Sequence, residues 1–198
     1  METIILDCDG VLLNWRETFK NWLIQHQFLS GSHLWNEDDY DIYPYLSEPF
    51  NTPEFALKLS LLFNESFILG KLPPMPGAVD AIKKLHSSGF ILKVVSSFTD
   101  VYESMKIREN NLLSVFGPVF QEFISLPLFG DKSDYLSKQD KNSYFVEDSL
   151  VNRNCAIKVG FNPARCYIIP HAYNRSSHPE TDVMRLSWNN IVKDILGE

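Results

Sequence analysis

Apolar residues come in short, separated runs along this chain, and most runs give way to a stretch with a different period. Ile4, Ile5 and Leu6 form a wholly apolar run with β-branched side chains, which fits a central strand covered on both faces of a parallel sheet. From Trp15 the period changes to three to four residues. Trp15, Phe19, Trp22, Leu23 and His26 mark one face, with Arg16, Glu17, Lys20 and Asn21 between them, so an amphipathic helix is expected, closed at Ser30-Gly31-Ser32. Trp35 to Phe50 has no clean period and is expected to be irregular. Thr52-Pro53 reads as an N-cap and a first helical residue, opening a helix from about Pro53 to Asn64. Leu72-Pro-Pro-Met-Pro-Gly77 is the densest turn signal in the chain. After it Ala78, Val79, Ile82 and Leu85 share a helix face, and Ser87-Ser88-Gly89 supplies the stop.

The second half alternates in the same way. Phe90 to Val95 predicts a strand ending at Ser96-Ser97, and Asp100-Val-Tyr-Glu103 fits a capping box that starts another helix. Phe116-Gly-Pro118 breaks the pattern, Phe120 to Leu126 reads as an edge strand, and Lys132 follows in a polar loop. Asn142 to Val146 predicts a short strand ending at Glu147-Asp148, Cys166 to Ile169 the last strand, and Trp188, Ile191, Val192 and Ile195 a closing amphipathic helix. Strands alternating with helices predict a doubly wound, Rossmann-like α/β fold with a parallel sheet. In such sheets the site lies beyond the carboxyl ends of the strands. Asp7, Ser96 and Asp148 each stand at such an end. The expected organisation is a core of residues 1–13 and 73–198, interrupted by a helical insert of residues 14–72.

Composition narrows the choice of partners. A length of 198 residues suits one domain, or a core with a modest insertion. With 18 Lys plus Arg against 25 Asp plus Glu, a nucleic-acid duplex or an anionic membrane is not expected as a partner. Cys8, Cys155 and Cys166 lack metal-ligand spacing and read as reduced thiols. No apolar stretch approaches the roughly 20 residues that span a bilayer, and the Met-Glu-Thr start has no basic region, so a cytoplasmic location is expected. Monomer and homodimer both stay open. Many of the aromatic residues lie between Trp15 and Phe67.

The chemistry begins where the first strand meets charge. Asp7 and Asp9 stand two apart, followed by Gly10, where the backbone turns tightly or approaches a ligand. Two carboxylates at the end of a buried strand are costly unless paired, and a hard divalent cation such as Mg²⁺, with its preference for oxygen ligands, can pair with both. Taken singly, each candidate has a plainer reading: Asp-Gly as a turn, Ser96 or Ser97 as a cap, Lys132 as an exposed loop lysine, and Glu147-Asp148 as a solvated turn. Their order, with three of the four at predicted strand ends, favours a shared site over these plainer readings.

Asp7-Cys-Asp-Gly-Val11, then Ser96, Lys132 and Glu147-Asp148, resemble the four signatures of the haloacid dehalogenase-like phosphatase superfamily. The resemblance implies that Asp7 is the nucleophile, Asp9 the general acid and base, Lys132 a catalytic cation, Ser96 with Ser97 a phosphate ligand, and Asp7, Asp9 and Asp148 the Mg²⁺ site. The flanks Pro74-Met-Pro-Gly-Ala-Val-Asp80, Phe116-Gly-Pro118, Phe145-Val-Glu-Asp148, Asn174-Arg175 and Ser187-Trp188 are similar to the 5′(3′)-deoxyribonucleotidase branch. That implies a nucleoside monophosphate substrate and a small helical cap after the first signature. Trp15, and less strongly Trp35 and Phe67, are then candidates to stack on a base. Three departures stand out: Ser96-Ser97-Phe98 where threonine commonly leads, Glu147 where an aspartate is common, and Asn152 where many relatives place a further acid. A phosphatase of phosphosugars or other small metabolites, and a catalytically silent phosphate-binding protein, are the alternatives. Retention of Asp9 argues against a metal-free dehalogenase.

Overall fold

In the computed structural model, which describes residues 1–29, 35–175 and 186–198, five strands form one parallel sheet. They are β1 (Thr3–Leu6), β2 (Ile91–Ser97), β3 (Phe120–Leu126), β4 (Tyr144–Glu147) and β5 (Cys166–Ile168). The order β3-β2-β1-β4-β5 puts β1 at the centre, where Ile4, Ile5 and Leu6 are fully buried. Leu6 is paired with Val94 on one side and Val146 on the other. The sheet winds outward from β1 through β2 to β3, then resumes on the other side of β1 with β4. The carboxyl ends of β1 and β4 therefore flank the reversal of winding, where open α/β sheets form their binding crevice.

The helices are α1 (Trp15–Gln25), α2 (Pro53–Asn64), α3 (Ala78–Ser87), α4 (Tyr102–Phe116), α5 (Ser133–Ser137), α6 (Leu150–Lys158), α7 (Ala172–Arg175) and α8 (Trp188–Leu196). Among the described residues, none is long and apolar enough to cross a membrane. In α2 the Thr52 hydroxyl accepts the Phe55 amide and Pro53 opens the first turn, as the sequence predicts. Helix α1 is shorter than expected. It ends at Gln25, and Gln27 turns the chain at φ 60°. The Ser30-Gly31-Ser32 stop lies outside the described residues. The capping box at Asp100 does not form. The Thr99 hydroxyl takes the Val101 amide at 3.1 Å, and α4 starts one residue later with no side-chain cap. Helices α5 and α6 carry too weak a periodicity to be read from sequence. Helix α6 buries Arg153, whose Nε donates to the Cys166 carbonyl at 2.9 Å.

One continuous apolar cluster joins Ile4, Leu6 and Val94 of the sheet to Phe19, Trp22, Phe63 and Leu69 of the insert and to Ile82, Leu85, Trp188 and Ile191. The opposite face of the sheet is covered by a smaller cluster around Ile5, Val95, Leu136, Phe145, Ala156 and Phe161. Two contacts fix the loop after β1: Leu13 bridges to Pro74, and the Trp188 indole N–H donates to the Val11 carbonyl at 2.9 Å.

Candidate active site

Asp7 follows β1 directly, and its amide donates to the Val146 carbonyl at 2.9 Å, which extends the β1 to β4 pairing by one step. Its side chain leaves the sheet at the reversal point and is almost fully buried. Lys132, at the threshold of α5, is 1% exposed rather than an outer-loop lysine. Its ammonium bridges the Asp7 carboxylate at 2.6 Å and the Glu147 carboxylate at 2.8 Å. Ser97 ties β2 to the loop that delivers this lysine, its hydroxyl donating to the Gly130 carbonyl at 2.8 Å. Ser96 is buried one residue earlier on the strand beside β1.

Glu147, the last residue of β4, is fully enclosed. It accepts the amides of Asp148 at 2.7 Å and Ser149 at 3.3 Å and the Asn152 amide group at 2.5 Å. Asn152 thus supplies a donor where a further acid would have added a negative charge. Asp148 accepts from the Tyr173 hydroxyl, and Asn174 holds the adjoining backbone by donating to the carbonyls of Asp148 and Ile169, each at 2.9 Å. Gly10, at φ +78°, is obligatory on two grounds: its backbone is left-handed, and a Cβ there would stand 2.5 Å from Asp148 Oδ2.

Oxygens of Asp7, Glu147 and Asp148 lie within 4.8 Å of one another, a set that could hold a metal ion. The Asp9 carboxylate, expected as a third ligand, lies outside this group and pairs with the buried Arg108 of α4, whereas Glu147 lies within it. The electrostatics match a cluster short of positive charge. Burial, and then Glu147, push the Asp7 carboxyl from 3.8 up to about 7 against the pull of Lys132. Burial and the neighbouring Glu147 and Asp7 raise Asp148 as well. Burial also works against charge on Glu147 and Lys132, but their mutual attraction wins, lowering the first and raising the second.

The aromatic candidates are placed unequally. Trp15 is half-buried, its indole N–H donating to Asn64 Oδ1 at 2.7 Å and its ring 4.6 Å from that of Phe19. Trp35 is buried, with the Arg16 guanidinium 3.6 Å over its ring, so that face is already taken. Phe67 is 73% exposed on the 3₁₀ turn Phe67–Lys71, which packs on α4. Tyr40, not singled out in the sequence, sits edge-on 5.9 Å from the Tyr173 ring. Tyr40 is 66% exposed, and its edge contact with Tyr173, whose hydroxyl donates to Asp148, is what puts it near the site. Arg108, Tyr173 and His171, whose ring contacts the Gly10 carbonyl at 2.6 Å, also escaped sequence reading. None has a local motif, and only the tertiary fold brings them to the loop after β1.

No family model matches the chain. It is 26% identical, over 98% of its own length and 96% of the other's, to a protein of Bordetella pertussis that carries the provisional name 5′(3′)-deoxyribonucleotidase. Among solved structures, a HAD family hydrolase of Deinococcus radiodurans with bound phosphate and sodium superposes with a TM-score of 0.61 at 14% identity, covering 100% of this chain and 96% of that one. A dehalogenase superposes equally well, at 0.61 and 16% identity over 100% and 98% of the two chains. Carboxylates on adjacent central strands, a buried lysine from a later loop, a five-stranded parallel sheet and these likenesses over the full chain identify a protein of the haloacid dehalogenase-like fold.

Proposed function

We propose that the protein is a Mg²⁺-dependent phosphomonoesterase that hydrolyses nucleoside monophosphates, a 5′(3′)-deoxyribonucleotidase-like activity, through an aspartyl-phosphate intermediate. The observation that carries the phosphatase reading is the group of buried Asp7, Lys132 and Glu147 with half-buried Asp148, three carboxylates against one ammonium. Such a group lacks positive charge in a way that a divalent cation with oxygen ligands would correct. Asp7 and Asp148, with Glu147 beside them, are the residues that would hold Mg²⁺. When bound, the ion would neutralise charge on the transferring phosphoryl group.

The steps belong to this chain's own side chains. An Asp7 carboxylate oxygen attacks phosphorus as the bond to the leaving oxygen breaks, and Asp9 gives that oxygen a proton. Water then attacks the phosphorus of the aspartyl phosphate while Asp9 takes back a proton, releasing inorganic phosphate and restoring Asp7. Lys132 keeps Asp7 oriented and offsets the charge of the phosphoryl oxygens, and the hydroxyls of Ser96 and Ser97 line the adjoining strand end. The nucleotide part of the reading is supported by the likeness to the Bordetella pertussis protein along nearly the whole chain. Residues 14–72 would act as the cap over the site, with Trp15 and Tyr40 the aromatic residues best placed to meet a base. The three unpaired cysteines suit a cytoplasmic setting.

Phosphate release from a panel of nucleoside monophosphates, sugar phosphates and an aryl phosphate, with Mg²⁺ and with chelator, tests both levels. The expected result is Mg²⁺-dependent turnover with the highest specificity constant for a nucleoside monophosphate. Preference for sugar phosphates would overturn the substrate class, and turnover that survives the chelator would overturn the metal assignment.

A further inference from the structure

Arg108, on the inward side of α4, is completely buried. Its Nη1 donates to the Asp9 carboxylate and to Cys8 Sγ at 3.1 Å, and its guanidinium carbon lies 4.7 Å from the centre of the Phe98 ring. Its Nε and Nη2 have no hydrogen-bond partner. A buried guanidinium with two idle donors is a costly way to fill space that an apolar side chain could fill, so its retention calls for a reason beyond packing. Among the described residues, the carboxylate it pairs with is that of Asp9. Asp9 is two residues from Asp7 on the loop that forms the site, yet its carboxylate stays out of the group made by Asp7, Glu147 and Asp148. It remains 23% exposed at the edge of the site.

We propose that Arg108 is a positioning residue: its ion pair holds the Asp9 carboxylate off the metal-ligand group and so reserves it for proton transfer. A carboxylate this close to three others would otherwise add itself to the shell of any cation bound there, and a ligand bound to a cation is a poor proton carrier. The idle donors of Arg108 fit this role, since a guanidinium held by one nitrogen fixes the carboxylate at one oxygen and leaves the other open. The inference rests on the phosphomonoesterase reading for its catalytic consequence but not for its structural one, and the test separates the two.

Calorimetric titration with Mg²⁺ reads the structural consequence without any turnover. Arg108→Met should tighten Mg²⁺ binding by about tenfold, because a further carboxylate raises the charge of the ligand set. In an Asp9→Asn background the same substitution should change the affinity less than twofold by the same reasoning. A gain that persists in that background would come from the lost charge alone and would overturn the proposal, as would no gain in the single variant. If Arg108→Met does not fold, the decision falls to Asp9→Asn by itself: affinity weakened as much as in Asp148→Asn would make Asp9 a ligand and overturn it, and unchanged affinity supports it. In turnover, Arg108→Met should slow an alkyl phosphate, whose leaving oxygen needs a proton, about tenfold more than an aryl phosphate, whose leaving group does not. Arg108→Lys should restore most of that ratio, whereas equal losses on both substrates without rescue would mark Arg108 as structural. An inactive parent protein would sink the phosphomonoesterase reading and leave the titration result standing on its own.

Discussion

Asp7 combines burial with a charge that its surroundings oppose, and its protonation is tied to stability. With its carboxyl raised from 3.8 to about 7, the folded protein holds a proton that the unfolded chain gives up, so this contribution is full below about pH 4 and lost as pH rises through 7. Without divalent cations, thermal stability should therefore fall between pH 5 and pH 8. Excess Mg²⁺ should restore it most at the alkaline end, by about 2.7 kcal/mol at a hundredfold excess over Kd. A Mg²⁺ effect of equal size at both pH values, measured by differential scanning calorimetry, would place the cation elsewhere. Asp7→Asn should abolish turnover by several orders of magnitude while raising the melting temperature at pH 8, as removal of a disfavoured charge from an active site does. Lys132→Met should do the reverse to stability, costing about 3–5 kcal/mol because Asp7 and Glu147 lose the one cation between them. At this scale the sequence singled out Asp7, Asp9, Lys132 and Asp148, and the structure brings Asp7, Lys132 and Asp148 together. It could not disclose that the Asp9 carboxylate pairs with Arg108, 99 positions away in the chain, while Glu147 lies with Asp7 and Asp148.

Helix α4 shows why the elements were legible and their contents less so. Its extent follows from the breaks on either side, but its buried side includes Ser104, Arg108 and Asn111 beside Leu112 and Phe116, while Leu113 is 51% exposed. Hydrophobic periodicity assumes that the polar side faces water; here part of it is buried, Arg108 against Asp9 and Asn111 against the Leu72 carbonyl, and the usual inference fails. Helix α8 is the opposite case, with Trp188, Ile191, Val192 and Ile195 all inward as their spacing predicts. Its first residue does more than pack. Trp188→Phe keeps most of the burial but removes the hydrogen bond to Val11, for a loss of about 1 kcal/mol in denaturant unfolding. Because Val11 follows Gly10, turnover should drop with it, and an unaltered specificity constant would show that the loop holds its shape without α8. Trp15→Leu asks a related question of the insert. If the indole meets a base, the specificity constant for nucleoside monophosphates should fall roughly tenfold to a hundredfold more than that for an aryl phosphate. Equal losses would assign Trp15 to the aromatic packing with Phe19 and Phe63.

Across the whole molecule, the alternation of strands and helices foretold the parallel sheet, and the reversal of winding beside β1 accounts for where the chemistry gathers. Helices α1 and α2 were legible, but not their place in the same apolar cluster that backs the sheet, because that continuity is made by Phe19, Phe63 and Leu69 meeting residues from distant segments. The central position of β1 has a further consequence for how the protein is made. β1 precedes its partner β2 by 88 residues, from Thr3 to Ile91, yet the edge that β4 will cover has no occupant until Tyr144 has been added. At about 5–20 residues per second a ribosome needs roughly 7–28 s to travel from Leu6 to that point. Throughout that interval Ile4, Ile5 and Leu6 offer an open, wholly apolar strand edge of the kind that recruits other chains. Nascent chains halted before Tyr144 should accordingly be held by chaperones, and those released past the end of β4 should not.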